Sequence, residues 1–267
     1  MKALVATMLL ALAAAAHAAS EEVITIPTRP GVTVSYLLVR DPAATPKIVV
    51  ISFVGAPGAI NLAKRAAAGP IKFGPATNYL VRVRERFADA EFADAIVDAP
   101  SDRLPEGMSD EFRFGREHET DMRAVIADLR TRFPGARLYL VGTSRGTISA
   151  AALGAKLSDI VQGVVLTSTV TVSTRGGGPG LSGFDFATIK VPLLLVHHRQ
   201  DACSVSPYAA ANALSKRFPL VSATGGDPPQ SGPCEPQSPH GYFGLDAAVT
   251  SAMRAWMQGR DYPREIP

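Results

Sequence analysis

Cysteine, charge and long apolar runs are all scarce in this sequence, and each scarcity removes a class of function. The 267 residues contain two cysteines, Cys203 and Cys234. They are too far apart for the C-x-x-C spacing of a dithiol redox centre, and the pair supplies too few ligands for a metal site. Charged residues make up only 19% of the chain, with 27 Lys+Arg against 24 Asp+Glu and a formal charge of +3. No run of five or more basic residues occurs, so a nucleic acid would find no electrostatic footprint and is not expected as a partner. Beyond the first residues no segment offers about 18 uninterrupted apolar residues, so no stable membrane span is expected. Internal repeats and a domain-separating linker are also missing. What remains is a chain that is 46% hydrophobic, a composition that excludes disorder and suits one large folded domain.

The N-terminus reads as a leader. Lys2 gives a short positive region, Ala3 to Ala16 an apolar stretch, and Ala16-His17-Ala18 a small-x-small cleavage pattern. Residues 1–18 are therefore expected to be a signal peptide and residues 19–267 the folded domain, exported to the periplasm or secreted. Export places Cys203 and Cys234 in an oxidising compartment, where they are expected to form a disulfide; two separate buried thiols are the plainer alternative.

Apolar runs recur along the chain. Gly31 to Val39 and Lys47 to Phe53 read as strands, followed by Phe92 to Val97, Leu138 to Val141, Gly163 to Leu166 and Pro192 to Val196. Most are continuous, as in strands buried on both faces. Helical patterns lie between and after them: Asn78 to Phe87, Glu117 to Phe133, Thr147 to Leu157 and Leu245 to Met257. This alternation predicts an α/β fold with a mostly parallel central sheet and helices on both faces. Residues 175–183 and 225–239 are expected to be loops. The first holds a formal G-x-G-x-x-G match, Gly178 to Gly183, but the next strand follows too soon for the crossover helix of a dinucleotide site. No cofactor is expected.

The strongest chemical signal is Gly142-Thr143-Ser144-Arg145-Gly146, a G-x-S-x-G pentapeptide between a buried strand and a helix of small residues. A tight turn alone would explain the pentapeptide; the strand before it and the helix after it favour a nucleophile elbow, with Ser144 exposed at the apex. A serine hydroxyl needs a base to take its proton, and the base needs a carboxylate to orient it. In the order expected for such an elbow, Asp201 follows a late strand and His240 precedes the last helix. Asp185, Asp227 and Asp246 are alternative acids. His118, His197 and His198 fall in the wrong order and are read as structural. A metal pair at His197 and His198 is disfavoured, because adjacent strand residues point to opposite faces. Donors for a developing oxyanion are expected from the amide of Arg145 and from Val54 or Gly55 in the turn after Phe53. The Arg145 side chain either favours an acidic substrate or pairs with a carboxylate such as Asp98. Arg82 and Arg84 are read as solvated or structural. A bridge between Cys203 and Cys234 would tie the Asp201 loop to the loop before His240.

Taken together, the elbow, Asp201, His240 and the glycine-containing turn after Phe53 make the chain resemble the α/β-hydrolase superfamily. The similarity covers almost all of residues 19–267. Within that superfamily, 97–103, 141–150 and 239–244 are similar to a group of exported bacterial α/β hydrolases of undefined substrate. The resemblance implies Ser144 as nucleophile, Asp201 as acid and His240 as base, acting on a small-molecule acyl substrate. Ester, thioester and peptide cleavage share this constellation, and a catalytically silent binding protein would share the scaffold. The departures are an arginine after the serine and no His-Gly pair in the oxyanion turn. Only about 20 residues separate the strands ending near Thr167 and starting at Pro192, so little or no cap domain is expected.

Overall fold

The computed structural model describes residues 19–74, 76–173 and 178–267. The expected signal peptide therefore lies outside the described residues, as does part of the glycine-rich loop around residue 176. The described chain opens on a hairpin, β1 (Ser20–Arg29) and β2 (Val32–Arg40), turned by Pro30 and Gly31, the glycine at φ 72°. Sequence periodicity marks β2 but not β1, whose only fully buried residue is Ile24.

Seven more strands follow: β3 (Ile48–Phe53), β4 (Phe92–Val97), β5 (Arg137–Thr143), β6 (Gly163–Thr167), β7 (Leu193–His198), β8 (Leu220–Ala223) and β9 (Glu265–Ile266). They form one nine-stranded sheet in the order β1-β2-β4-β3-β5-β6-β7-β8-β9. β2 pairs with β1 and β4 in antiparallel fashion, and every pairing from β4 through β3 to β9 is parallel. The helices are α1 (Leu62–Ala67), α2 (Tyr79–Val83), α3 (Asp110–Phe114), α4 (Arg116–Arg132), α5 (Gly146–Lys156), α6 (Tyr208–Leu214) and α7 (Asp246–Met257).

Continuous apolar runs arise because both sheet faces are covered. On β5, Leu138 and Leu140 enter one core with α4 and α5, while Tyr139 and Val141 enter the other with α2 and α7. β7 divides the same way, Leu193 and Leu195 to the first core, Leu194 and Val196 to the second. The period of two thus assigns every second side chain to each layer. Burying one such Leu or Val contributes roughly 1.5–3 kcal/mol.

Between β6 and β7, the described part of 168–192 contains one short 3₁₀ turn, Phe186–Thr188. No α-helix follows Gly178 to Gly183 before β7, so the glycine pattern there is a loop. The mostly parallel α/β sheet expected from the alternation is what the topology shows, and the described part of the β6–β7 connection holds no cap domain.

Candidate active site

Ser144 stands between the last residue of β5 and the first turn of α5, with φ at 51°. A left-handed backbone at a non-glycine residue costs on the order of 1–3 kcal/mol and must be held by its surroundings. Ser144 donates its amide to the Thr167 carbonyl at 3.0 Å, and its own carbonyl accepts from the Thr147 amide at 2.9 Å and the Thr147 hydroxyl at 2.6 Å. The flanking glycines make the turn sterically achievable. A Cβ on Gly142 would lie 2.4 Å from the Gly146 carbonyl oxygen, and one on Gly146 would lie 2.0 Å from that of Phe53. Both contacts are with backbone, so no side-chain rearrangement would relieve them.

Asp201 follows β7, and His240 sits in a 3₁₀ turn, Pro239–Gly241, shortly before α7. The fold brings them together: His240 Nδ1 lies 2.9 Å from Asp201 Oδ2. A carboxylate only accepts, so Nδ1 carries the proton and Nε2 presents its lone pair. Nε2 is buried and has no hydrogen-bond partner among the described residues. Burial opposes ionisation of Asp201, but hydrogen bonds from His197, His240 and the Cys203 amide together hold its carboxyl well below the usual range.

Two participants in this network escape sequence reasoning. Ser206, fully buried, donates to Asp201 Oδ2 at 3.0 Å and lies 3.0 Å from His240 Nδ1. His197 donates from Nε2 to the Ser206 carbonyl at 2.8 Å and comes within 3.4 Å of Asp201. Its spacing four residues before Asp201, at a strand end, was the available signal. The backbone around His240 is held as well. Ser168 Oγ donates to the His240 carbonyl at 2.7 Å, the Tyr242 hydroxyl donates to the Val196 carbonyl at 2.7 Å, and Arg82 donates to the Gly241 carbonyl at 2.6 Å. Arg82 is itself anchored on Asp246. That pairing gives Arg82 the structural role expected of it and removes Asp246 as an alternative acid. Asp185 and Asp227 are exposed, and among the described residues neither hydrogen-bonds His240, whose Nδ1 is taken by Asp201.

Ser144 and His240 line one cavity of about 350 Å³, together with Gly55, Asn78, Arg145 and Cys234. A larger depression of about 470 Å³ between α6 and the β8–β9 edge contains none of the residues singled out from sequence. Of the two expected oxyanion positions after β3, Gly55 lines the cavity, whereas the Val54 side chain packs with Leu37, Leu62 and Ile96. The expected pairing of Arg145 with Asp98 is corrected by the structure. Arg145 pairs with Asp110, whose other oxygen accepts from the Gly180 amide at 2.8 Å. Asp98 instead accepts from the amides of Ile60, Leu62 and Ala99, because the turn after β3 would otherwise bury those donors unpaired.

Cys203 and Cys234 form a disulfide, with sulfurs 2.03 Å apart. It joins the Asp201 loop to the cavity wall before His240. Asp201, Cys203 and His240 lie close enough to suggest a metal-ligand group, but the Cys203 sulfur is committed to the disulfide and His240 Nδ1 to Asp201. His197 and His198 contact different partners, Ser206 and Gly225 respectively, as expected for neighbours on opposite faces of a strand. His118 is buried near the rings of Phe53 and Phe112.

No protein-family model matches the chain, and no curated protein matches it in sequence. Solved structures do match it in fold. Est1E from Butyrivibrio proteoclasticus is 16% identical with a TM-score of 0.61, the alignment covering 89% of this chain and 98% of that one. Est1E is also known with ferulic acid bound. XC6422 from Xanthomonas campestris, described as an α/β serine hydrolase without lid, is 16% identical with a TM-score of 0.56, covering 89% and 94%. The esterase domain of a Rhodothermus marinus protein is 18% identical with a TM-score of 0.54, covering 90% and 99%. At these identities the likeness is one of architecture.

Proposed function

We propose that this chain, which has the α/β-hydrolase fold, is a serine hydrolase cleaving an ester or related acyl bond of a small substrate. The observation that carries this reading is the shared cavity: Ser144 on a strained elbow and His240 with an open, buried Nε2, its Nδ1 fixed by Asp201. Structural neighbours described as an esterase domain and as an α/β serine hydrolase support it.

In the proposed reaction Ser144 Oγ attacks the acyl carbon as His240 Nε2 takes its proton. Negative charge passes to the carbonyl oxygen, where the amides of Arg145 and Gly55 donate to it. Collapse breaks the acyl–oxygen bond, and the leaving alcohol takes the proton from Nε2. Water then attacks the acyl-enzyme, passing its proton to Nε2. The second collapse frees the carboxylic acid and returns the proton to Ser144. Asp201 remains ionised throughout, holding the tautomer and stabilising the imidazolium; its low pKa suits that task.

We assign the chain to an exported compartment, periplasmic or secreted, on the leader-like residues 1–18 and the Cys203–Cys234 disulfide. The bridge closes a separation of 31 residues, for which chain entropy gives roughly 3–4 kcal/mol of stabilisation.

Labelling with a fluorophosphonate probe tests the reaction. The folded wild-type protein is expected to be modified at Ser144. Ser144→Ala should abolish labelling and lower ester turnover by at least about 10³-fold. Folded wild-type protein that shows no Ser144-dependent labelling would sink the proposal.

A further inference from the structure

Asn78 caps α2, and its side chain faces two ways. Oδ1 accepts a hydrogen bond from the Leu80 amide at 3.1 Å. A backbone N–H must meet an acceptor, so the other terminal atom is the donor Nδ2. Among the described residues the Leu80 contact is the one side-chain hydrogen bond Asn78 makes, so Nδ2 meets no protein acceptor, and Asn78 lines the cavity that holds Ser144 and His240. A Cβ built on Gly55 would lie 3.2 Å from Asn78 Nδ2 and 3.2 Å from Ser144 Cβ. The amide donor and the serine thus flank the same gap, one methyl group wide, left open by the glycine that is itself an oxyanion-donor candidate.

We infer that the Asn78 side-chain amide is a catalytic donor to the substrate's acyl oxygen, adding a third N–H to those of Arg145 and Gly55. The inference rests on the serine-hydrolase reading of the cavity. Gly55, Arg145 and Asn78 line one cavity with Ser144, so an acyl oxygen held by the Gly55 and Arg145 amides would share that cavity with Nδ2. The Leu80 hydrogen bond fixes the amide plane before substrate arrives, so little reorganisation is needed when negative charge develops. The missing side chain at Gly55 keeps the path between donor and oxygen clear. The same asparagine therefore serves helix and reaction with different atoms, and the two roles are separable by substitution.

Asn78→Asp and Asn78→Ser both retain an oxygen able to cap Leu80, and neither presents the amide N–H. With p-nitrophenyl acetate at pH 8, each is expected to lower kcat by roughly 10²–10³-fold. KM should move by less than about threefold, and the melting temperature should stay at the wild-type value. The rate of fluorophosphonate labelling should fall in parallel. A folded Asn78→Asp or Asn78→Ser enzyme with kcat within about threefold of wild type overturns the inference and leaves Asn78 a cap alone. Wild-type protein lacking Ser144-dependent turnover overturns the serine-hydrolase reading, and this inference with it. Wild-type turnover alongside unchanged Asn78 variants isolates the failure to Asn78.

Discussion

Two buried ionisable residues outside the cavity, His118 and Asp94, push the pH dependence of folding in opposite directions. His118 has no hydrogen-bond partner for either ring nitrogen among the described residues. Burial, reinforced by the charges of Arg113, Lys156 and Arg29, lowers its pKa from 6.5 to about 3. The unfolded chain therefore takes up this proton below about 6.5 while the folded chain refuses it. Stability is lost as pH falls through that window, by up to about 1.4 kcal/mol per unit. Asp94 shows the reverse. Burial raises its carboxyl to about 8, the Ser52 hydrogen bond only partly opposing the shift. The folded chain keeps a proton that the unfolded chain releases above the ordinary carboxylate value of 3.8, so stability falls as pH rises toward 8. Where the windows overlap the two slopes offset each other. Denaturant unfolding across pH 4–8 should separate them. Relative to wild type, His118→Leu should gain stability progressively below pH 6.5, and Asp94→Asn progressively toward pH 8; differences flat with pH would contradict both assignments.

The elbow shows how an element's geometry depends on a missing atom. Gly146→Ala places a methyl against the Phe53 carbonyl, where only backbone movement of β3 or α5 could make room. A loss exceeding about 4 kcal/mol, or failure to fold, is expected. The control is Gly31→Ala in the β1–β2 turn, where φ is 72° but nothing lies within 4 Å of the added carbon. It should cost only about 1–2 kcal/mol, the left-handed penalty alone. Comparable unfolding midpoints for the two variants would refute the steric account. Elements of this kind were legible in sequence where burial was complete: the runs of β3, β4, β6 and β7 are buried along their whole length. β1 was missed because Glu21, Glu22 and Thr25 face solvent on a sheet edge. β8 and β9 are four and two residues long, too short to display a period. α6 buries only Ala211 completely and so offers no apolar stripe. In the candidate site, chain order singled out Ser144, Asp201 and His240, and the structure brings His240 to both of the others' surroundings. Ser206, His197 and Asn78 take on chemical meaning only through contacts made in space. In sequence, Asn78 before an apolar helical run signals no more than a cap.

For the molecule as a whole, the sheet spans the described chain from Ser20 to Ile266 and presents the cavity beyond the ends of β3 and β5. Arg82 and Asp246 fasten the turn carrying His240 to the early helix α2, so the two sides of the cavity are tied together. The short connection between β6 and β7 places no cap domain above Ser144, which remains partly exposed. Among the described residues no closing element covers the cavity, so the acyl-enzyme of the proposed mechanism would be open to water and to other small hydroxyl compounds alike. Methanol added to the assay should therefore compete for the acyl group, yielding methyl ester in proportion to its concentration while the rate of leaving-group release in the first step is unchanged. Product analysis giving only the free acid at molar methanol would show that the site discriminates between nucleophiles. Under the proposed mechanism, kinetic partitioning of a single intermediate, rather than selection by a lid, is the behaviour expected of this open architecture.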